Sequence, residues 1–529
     1  MLASAPTLLA LRFEAVRQAI VERARTESGK VRAAARPFLE TREAVEAALA
    51  LVEEARTLHA EPLMLPLAGL PDVRPLAARA ARGGMLDPQE LLQVTAALFA
   101  FDHTAAALEA RAERLPRLAE IARAIPDTGK LPSRLERSIE PSGAISDSAS
   151  PGLKAARDRT RGLHRTIKAR LDDLLHDEAF KANLQEQYYS VRHERYVVPV
   201  LSQHQRLVPG IVHNASQTGQ TLFVEPEALI GLGNELAIAQ SVVLEEERQV
   251  LLELSELVGD QAEGIERGIA ACAELDEAEA AAALSDALKA RRPELEPEDG
   301  QLALIRLRHP LLALGGADVV PNDVELRGPA RSLVISGPNA GGKTITLTAV
   351  GLVALMVRAG LPVPVGDGSR LPLFKTVDSA VGDSQDLSRG LSTFSAHVTQ
   401  LRDICASAGS GALVLIDEIA ADTDPKEGAA IATAVLETLL SQGAVALVTT
   451  HLEELKALAH LDPRFVNARV GFDAARMAPT YRLQLGAAGS SSAIDVARRV
   501  GLPEAICVRA TELAKNAGGA LAQALVAAN

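Results

Sequence analysis

Tryptophan is absent from the 529-residue chain, and the remaining aromatics make up only 3% of it. A core of stacked rings is thereby excluded, and the abundance of Ala, Leu and Glu favours helices packed through aliphatic side chains. Cysteine is almost missing as well. Cys272, Cys405 and Cys507 stand far apart with no CxxC, which excludes a paired-cysteine framework and reads as thiols in a reducing cytosol. Positive charge is in the minority, with 55 Lys and Arg against 68 Asp and Glu and a formal net charge of −13. That argues against a protein coating nucleic acid over its whole surface, although a local basic zone stays open. Long apolar runs are also lacking. The longest, "ITLTAVGLVALMV" at 345–357, falls short of the roughly 20 residues that cross a bilayer. The opening "MLASAPTLLALRFEAVRQ" has no basic residue ahead of its apolar run, so no signal peptide is expected. The expectation is a cytoplasmic protein with no membrane partner.

What is present is a chain long enough for several domains, nearly half of it apolar. Stretches such as "TREAVEAALALVEEARTL" space apolar residues three and four apart, giving a helical core over 1–125. Pro, Gly, Ser and Asp then mark a linker, followed by a long charged helix over roughly 153–187; together these form segment 126–186. The texture changes at 187–226, where "GIVHNASQTGQTLFVEP" and its neighbours carry Tyr, Val, Thr and turn residues, the signature of strands and hairpins. Helical spacing resumes over 227–298. A small β module bracketed by two long helices predicts an antiparallel helical hairpin with the module at its tip. Over 299–505 strands alternate with helices, as in a parallel α/β layer, with strands at "SLVIS", "ALVLI" and "AVALVTT". A last helix occupies 506–529.

The chemistry concentrates in the α/β segment. "SLVISGPNAGGKTITL" fits G-x-x-x-x-G-K-[ST] between a strand and a helix, which is the context this loop requires. Gly337, Pro338, Asn339, Ala340, Gly341 and Gly342 would turn backbone N–H groups towards phosphates, and the helix N-terminus adds its dipole. Lys343 supplies a cation for the β- and γ-phosphates, and the Thr344 hydroxyl can ligate Mg²⁺. Downstream, "GALVLIDEIAADTDPKEG" delivers Asp417 and Glu418 to the carboxyl end of an apolar strand, where ligands of parallel sheets gather. Alone this is an ordinary solvated acidic pair; joined to the loop, Asp417 becomes a magnesium residue and Glu418 the group that polarises water. His451, ending "ALVTTH", can hydrogen-bond a γ-phosphate. Between these lies "LSTFSAHV", whose Ser392 and Thr393 sit at a helix start where ABC-type ATPases complete a neighbour's site.

Together "GPNAGGKT", "LSTFSAHV", "LVLIDEIAADTDPKEGAA" and "TTHLEELKALA", with "RHPLL" and "VVPND" upstream, resemble the MutS family of ABC-type ATPases over nearly the whole chain. "GIVHNASQTGQTLFVEP" narrows the resemblance to the second bacterial branch, associated with suppressing homologous recombination and rescuing collided ribosomes. The resemblance implies an α/β ABC-type ATPase domain joined to a mostly α-helical core and lever region with a small β clamp module. It implies a homodimer that takes ATP and Mg²⁺ and binds branched DNA, stalled ribosomes through rRNA, or both. By the same carry-over, Ser392 and Thr393 reach the partner's γ-phosphate and Asp424 lies at the subunit junction. His451 reports nucleotide state, and Val319 and Val320 lie along the adenine.

Two features depart from the family pattern. No strand-rich reader domain precedes Phe13 and Glu14, so mismatch reading is disfavoured, and the small nuclease domain usual in the branch does not appear before Asn529, which implies either a truncated chain or a lineage lacking that domain. In the β module Arg192, Arg195, Arg206 and His213 are the candidates for weak, salt-sensitive phosphate contacts, opposed by Glu194 and Glu225. The module's histidines are spaced too poorly for a metal. The function expected is an ATP-driven clamp; the alternatives are a nucleotide-gated scaffold with slow hydrolysis or a mismatch-repair clamp.

Overall fold

The structure is a computed structural model and describes residues 2–337, 342–382, 393–420, 423–473, 478–487, 494, 497–498 and 501–513. Contacts divide the chain into two units, one of residues 1–64, 112–118 and 273–529, the other of residues 65–111 and 119–272.

In the second unit the outgoing helix is Pro151–His176. Ser150 caps it by accepting the Leu153 N–H at 3.0 Å, and Pro151 occupies the first turn, where its missing N–H leaves no bond unmade. It ends earlier than the expected 187. Asp177 takes an extended conformation, and its carboxylate accepts the Ala179 N–H at 2.8 Å, capping the separate turn Glu178–Lys181. Strands β1 (Ser190–Arg192), β2 (Arg195–Leu201), β3 (Gly210–Ala215) and β4 (Thr221–Pro226) follow, in the antiparallel order β1-β2-β4-β3. His193 and Glu194, at φ 48° and 62°, form the two-residue turn from β1 to β2, with the primed geometry that matches strand twist. The returning helix Glu227–Asp260 starts directly after β4. Ile167 and Leu171 of the outgoing helix, Val198, Val200 and Val224 of the sheet, and Leu229 and Leu236 of the returning helix share one core. A four-stranded antiparallel module thus follows the outgoing helix, precedes the returning one and packs against both.

Two helices here, Pro88–Glu109 and Glu227–Asp260, reach the length and hydropathy of a bilayer span, although polar residues interrupt the apolar run in both. In the first, Leu91, Val94, Leu98, Phe101 and Leu108 are buried, as in a core helix. The second continues into Glu245, Glu246 and Glu247, and Glu247 pairs with Arg157 of the outgoing helix at 2.6 Å.

The other unit opens with helices Ala5–Ala10, Phe13–Val21, Glu27–Ala34 and Arg42–His59. Strand and helix alternation does not begin at once after residue 299. Instead β5 (Glu294–Glu296), β6 (Leu302–Leu307), β7 (Asn322–Leu326) and, later in the chain, β9 (Arg370–Pro372) make a small mixed sheet in the order β5-β9-β6-β7. The larger sheet uses β8 (Ser332–Ser336), β10 (Thr376–Ala380), β11 (Ala412–Ile416), β12 (Val445–Thr449), β13 (Phe465–Asp473) and β14 (Ala478–Leu485), ordered β10-β11-β12-β8-β13-β14. Its first five strands are parallel and β14 is antiparallel. Every residue of β8, β11 and β12 is buried, as the unbroken apolar runs require of strands covered on both faces. Val334, Val414, Ile416, Leu436, Leu439, Val448 and Leu455 lie in their core. The helix Lys343–Arg358, which leads away from β8, is buried along nearly its whole length, matching an apolar sequence with no polar face.

Candidate functional site

Strands β11, β12 and β8 are adjacent and parallel, so their carboxyl ends present three consecutive turns at one edge. Each turn carries a motif found in the sequence. After β8, Gly337 takes φ 131° and Gly342 takes φ 90°, backbone that a side chain rarely adopts. Pro338, Asn339, Ala340 and Gly341 lie outside the described residues. At Gly342 there is a second reason for glycine, since a Cβ would sit 3.1 Å from Cδ1 of Tyr481.

Lys343 opens the helix and is 2% exposed. Its ammonium donates to the Gly337 carbonyl at 2.7 Å and lies 3.0 Å from His451 Nε2. Burial lowers its pKa; Glu418 and Asp417 oppose that shift, and Lys456 adds to it. A desolvated cation held against a positive-φ turn is a preformed place for an anion. The neighbouring Thr344 is exposed, and its hydroxyl donates to Asp417 Oδ2 at 2.7 Å.

Thr449, at the end of β12, joins the acidic pair to the sheet. Its hydroxyl donates to Asp417 Oδ1 and accepts the Glu418 N–H at 2.7 Å. The register permits this because Ile416 stands opposite Val448, so the first residue past β11 meets the last of β12. Glu418 itself has φ 52°, a left-handed conformation costing roughly 1–2 kcal/mol in a residue with a Cβ. The Thr449 bond helps hold it, and the strain aims the carboxylate at His451, whose Nε2 lies 3.2 Å from Glu418 Oε1. One ring nitrogen thus faces both Lys343 and Glu418. Unprotonated, Nε2 accepts from the lysine; protonated, it donates to the carboxylate, and it cannot do both.

Thr344 and Asp417 form the pair that a phosphate-bound Mg²⁺ would separate and ligate. Among the described residues no group of three His, Cys, Asp or Glu gathers to hold a metal by itself. The donor set therefore fits a magnesium ion whose remaining ligands are phosphate oxygens and water, the usual arrangement for that ion.

The other expected residues fall into three groups. Asp424 is exposed and caps the helix Pro425–Ser441, accepting the Lys426 N–H at 3.0 Å and the Glu427 N–H at 3.2 Å. Val319 and Val320 are half-buried on the segment entering β7. Asn322 follows them and ties that segment to β14, donating to the Tyr481 carbonyl at 2.8 Å and accepting the Leu483 N–H at 2.7 Å. Ser392 lies outside the described residues, and Thr393 begins the helix Thr393–Ser407.

In the β module Arg195 and His213 both turn inward to the buried carboxylate of Glu225, at 3.3 and 2.8 Å. The irregularity in β3 between Val212 and Asn214 re-aims His213 towards it. Arg192 lies over the Phe223 ring, 4.8 Å from its centre, and Arg206 is exposed. Two residues of the site are not evident from the sequence, Thr449 and Tyr481. The only signal for the first is a hydroxyl ending an apolar strand; nothing near Tyr481 in sequence points to the loop it touches.

Residues 333–517 match the family profile of MutS domain V. Along nearly its whole length the chain is similar to proteins named Endonuclease MutS2. It is 52% identical over 516 residues to that of Anaeromyxobacter sp. (strain Fw109-5), covering 96% of this chain and 64% of the relative. It is 40% identical over 458 residues to that of Pelotomaculum thermopropionicum, covering 87% and 58%, and 40% over 516 residues to that of Thermomicrobium roseum, covering 95% and 65%. The chain thus spans somewhat under two thirds of the length of these relatives. The domain V match lies over the phosphate loop, the acidic strand end and the histidine turn, so the segment that carries the candidate site is similar to MutS domain V and nearly the whole chain is similar to MutS2 proteins.

Proposed function

We propose that this chain is an ATP-hydrolysing clamp that works as a homodimer in the cytoplasm and closes on nucleic acid. The observation that carries the reading is the meeting of Lys343, Thr344, Asp417, Glu418 and His451 at the ends of three adjacent parallel strands. Five side chains from three separate turns do not converge in this way for packing, since each is polar and each faces another across the same edge.

In this reading Gly337 through Thr344 hold the triphosphate, with the Lys343 ammonium moving from the Gly337 carbonyl to the β- and γ-phosphates. That movement frees His451 Nε2 from the lysine, so the histidine senses whether a γ-phosphate is present. Thr344 and Asp417 hold Mg²⁺, which neutralises charge on the phosphate oxygens. Glu418 orients the attacking water. The Tyr481 ring, against Gly342, offers the adenine a stacking face beside Val319 and Val320. Ser392 and Thr393 approach the partner's γ-phosphate, and Asp424 faces the subunit junction. Catalysis here is positioning and electrostatics rather than covalent chemistry.

The physiological target is branched DNA, a collided ribosome, or both, and the consequence is suppressed recombination or ribosome splitting. Nuclease chemistry, which the relatives' printed name includes, is assigned to no residue of this chain. The test is Glu418→Ala. It should bind ATP as the parent does while turning over roughly 10²- to 10³-fold more slowly, the usual result of deleting one preorganised polar group. Parent-level turnover would refute the assignment.

A further inference from the structure

We infer that the outgoing helix, rather than the strand tip, carries the principal phosphate-binding surface of this protein. The inference rests on the proposed nucleic-acid function and assigns it to particular residues. Positions 151–170 of the helix Pro151–His176 read "PGLKAARDRTRGLHRTIKAR", with seven Lys and Arg against one Asp. This net charge of +6, from seven minus one, sits in a chain whose total is −13.

The ion pairs separate structural from available cations. Arg157 is bound by Asp147 and Glu247, and Arg161 by Asp147 and Asp158. Lys154, Arg159, Arg165, Lys168 and Arg170 are exposed and form no ion pair among the described residues. By contrast, two of the four cations expected at the β module are occupied with Glu225 and a third lies over a ring. At about 100° per residue, the unpaired Lys154, Arg165 and Lys168 fall within an arc of about 60°, a single stripe. At a rise of about 1.5 Å per residue the stripe is about 21 Å long, comparable with the axial length of about six base pairs at 3.4 Å each.

The chemistry recognised is the phosphodiester backbone, shared by DNA and RNA. A membrane surface fits poorly. A helix lying on lipid exposes its apolar side, whereas here Leu153, Ile167 and Leu171 are buried inside the unit. Asp172, about one turn beyond Lys168, limits the stripe at its far end.

The experiment measures binding of the full chain to a 30-base-pair DNA duplex and to an RNA duplex of equal length, by fluorescence anisotropy across a KCl series. The variant is Lys154→Gln/Arg165→Gln/Lys168→Gln, with Arg192→Gln/Arg206→Gln for comparison. Unchanged ATP binding and melting temperature establish that the triple variant is folded. Loss of three phosphate contacts should lower the slope of log K against log[KCl] by about 2.7 on DNA and weaken binding roughly 10- to 100-fold near 0.1 M salt. Both duplexes should show a loss, and the one that the parent binds more tightly identifies the backbone's source. An unaltered slope in the triple variant, or a loss confined to the Arg192 and Arg206 variant, overturns the assignment to the helix. If the parent binds neither duplex with or without ATP, the nucleic-acid reading itself fails and takes this inference with it.

Discussion

Thr449 shows how much of the candidate site depends on one hydroxyl. It is fully buried, donates a hydrogen bond to Asp417 and accepts one from the N–H of the strained Glu418. Thr449→Val keeps the shape but removes both bonds, leaving a half-buried carboxylate oxygen and an amide without that partner; a fully buried unmet group would cost about 1–3 kcal/mol, and the loss here is smaller. The predicted result is a fall in kcat of at least about tenfold with ATP affinity nearly retained, read from steady-state ATPase and nucleotide-binding titrations. Equal kcat would mean that the backbone alone fixes Glu418. At this scale the sequence disclosed Lys343, Thr344, Asp417, Glu418 and His451, because a phosphate loop and a strand-end acidic pair are local patterns. It did not disclose Thr449 or Tyr481, since their roles arise from strand register and from a neighbour 139 positions away from Gly342, counting from 342 to 481. Nor did it foresee that Arg195 and His213 would be drawn inward, because the partner carboxylate, Glu225, is three-dimensional information.

At the scale of elements, the long buried strands and the two long helices were plain in the spacing of apolar residues. Their ends were less so: Asp177 stops the outgoing helix by capping the next turn, a choice that periodicity does not record. The small mixed sheet was missed because its strands are short and β9 joins it from far along the chain. Asp424 is likewise an element-scale residue in the structure. Asp424→Ala should cost about 1 kcal/mol of stability through the lost cap, while Asp424→Asn should keep it. If Asp424 also faces a second subunit, the Asn variant will melt like the parent yet associate more weakly with ATP. His309 gives a pH prediction. Burial, with Arg12 nearby, lowers its pKa from 6.5 to about 4. As pH falls through 6.5 the unfolded chain takes up a proton that the folded chain refuses until about 4. Stability is therefore lost progressively across that window, and more of it lower down. His309→Asn, which removes the titration but can still cap the helix Pro310–Leu314, should lose less between pH 7 and pH 5. Urea midpoints at the two values decide it, and an identical loss in both proteins would contradict the assignment.

For the whole molecule, the resemblance read from four short motifs extends over nearly the full chain in the comparisons. On the proposed reading, a nucleotide bound here is one that a single subunit does not enclose. The candidate site lies at an open strand edge, with Thr344 exposed and Glu418 and His451 each more than two fifths exposed at their side chains. An attacking water and a γ-phosphate placed there would remain open to solvent unless a second surface covered them. A second copy is the proposed cover. The most direct measurement is sedimentation velocity of Glu418→Ala with and without Mg·ATP at micromolar protein. The account predicts a persistent shift to the dimer on adding Mg·ATP, and no such persistence with Mg·ADP. A protein that binds Mg·ATP stoichiometrically and sediments identically in all three conditions would contradict it.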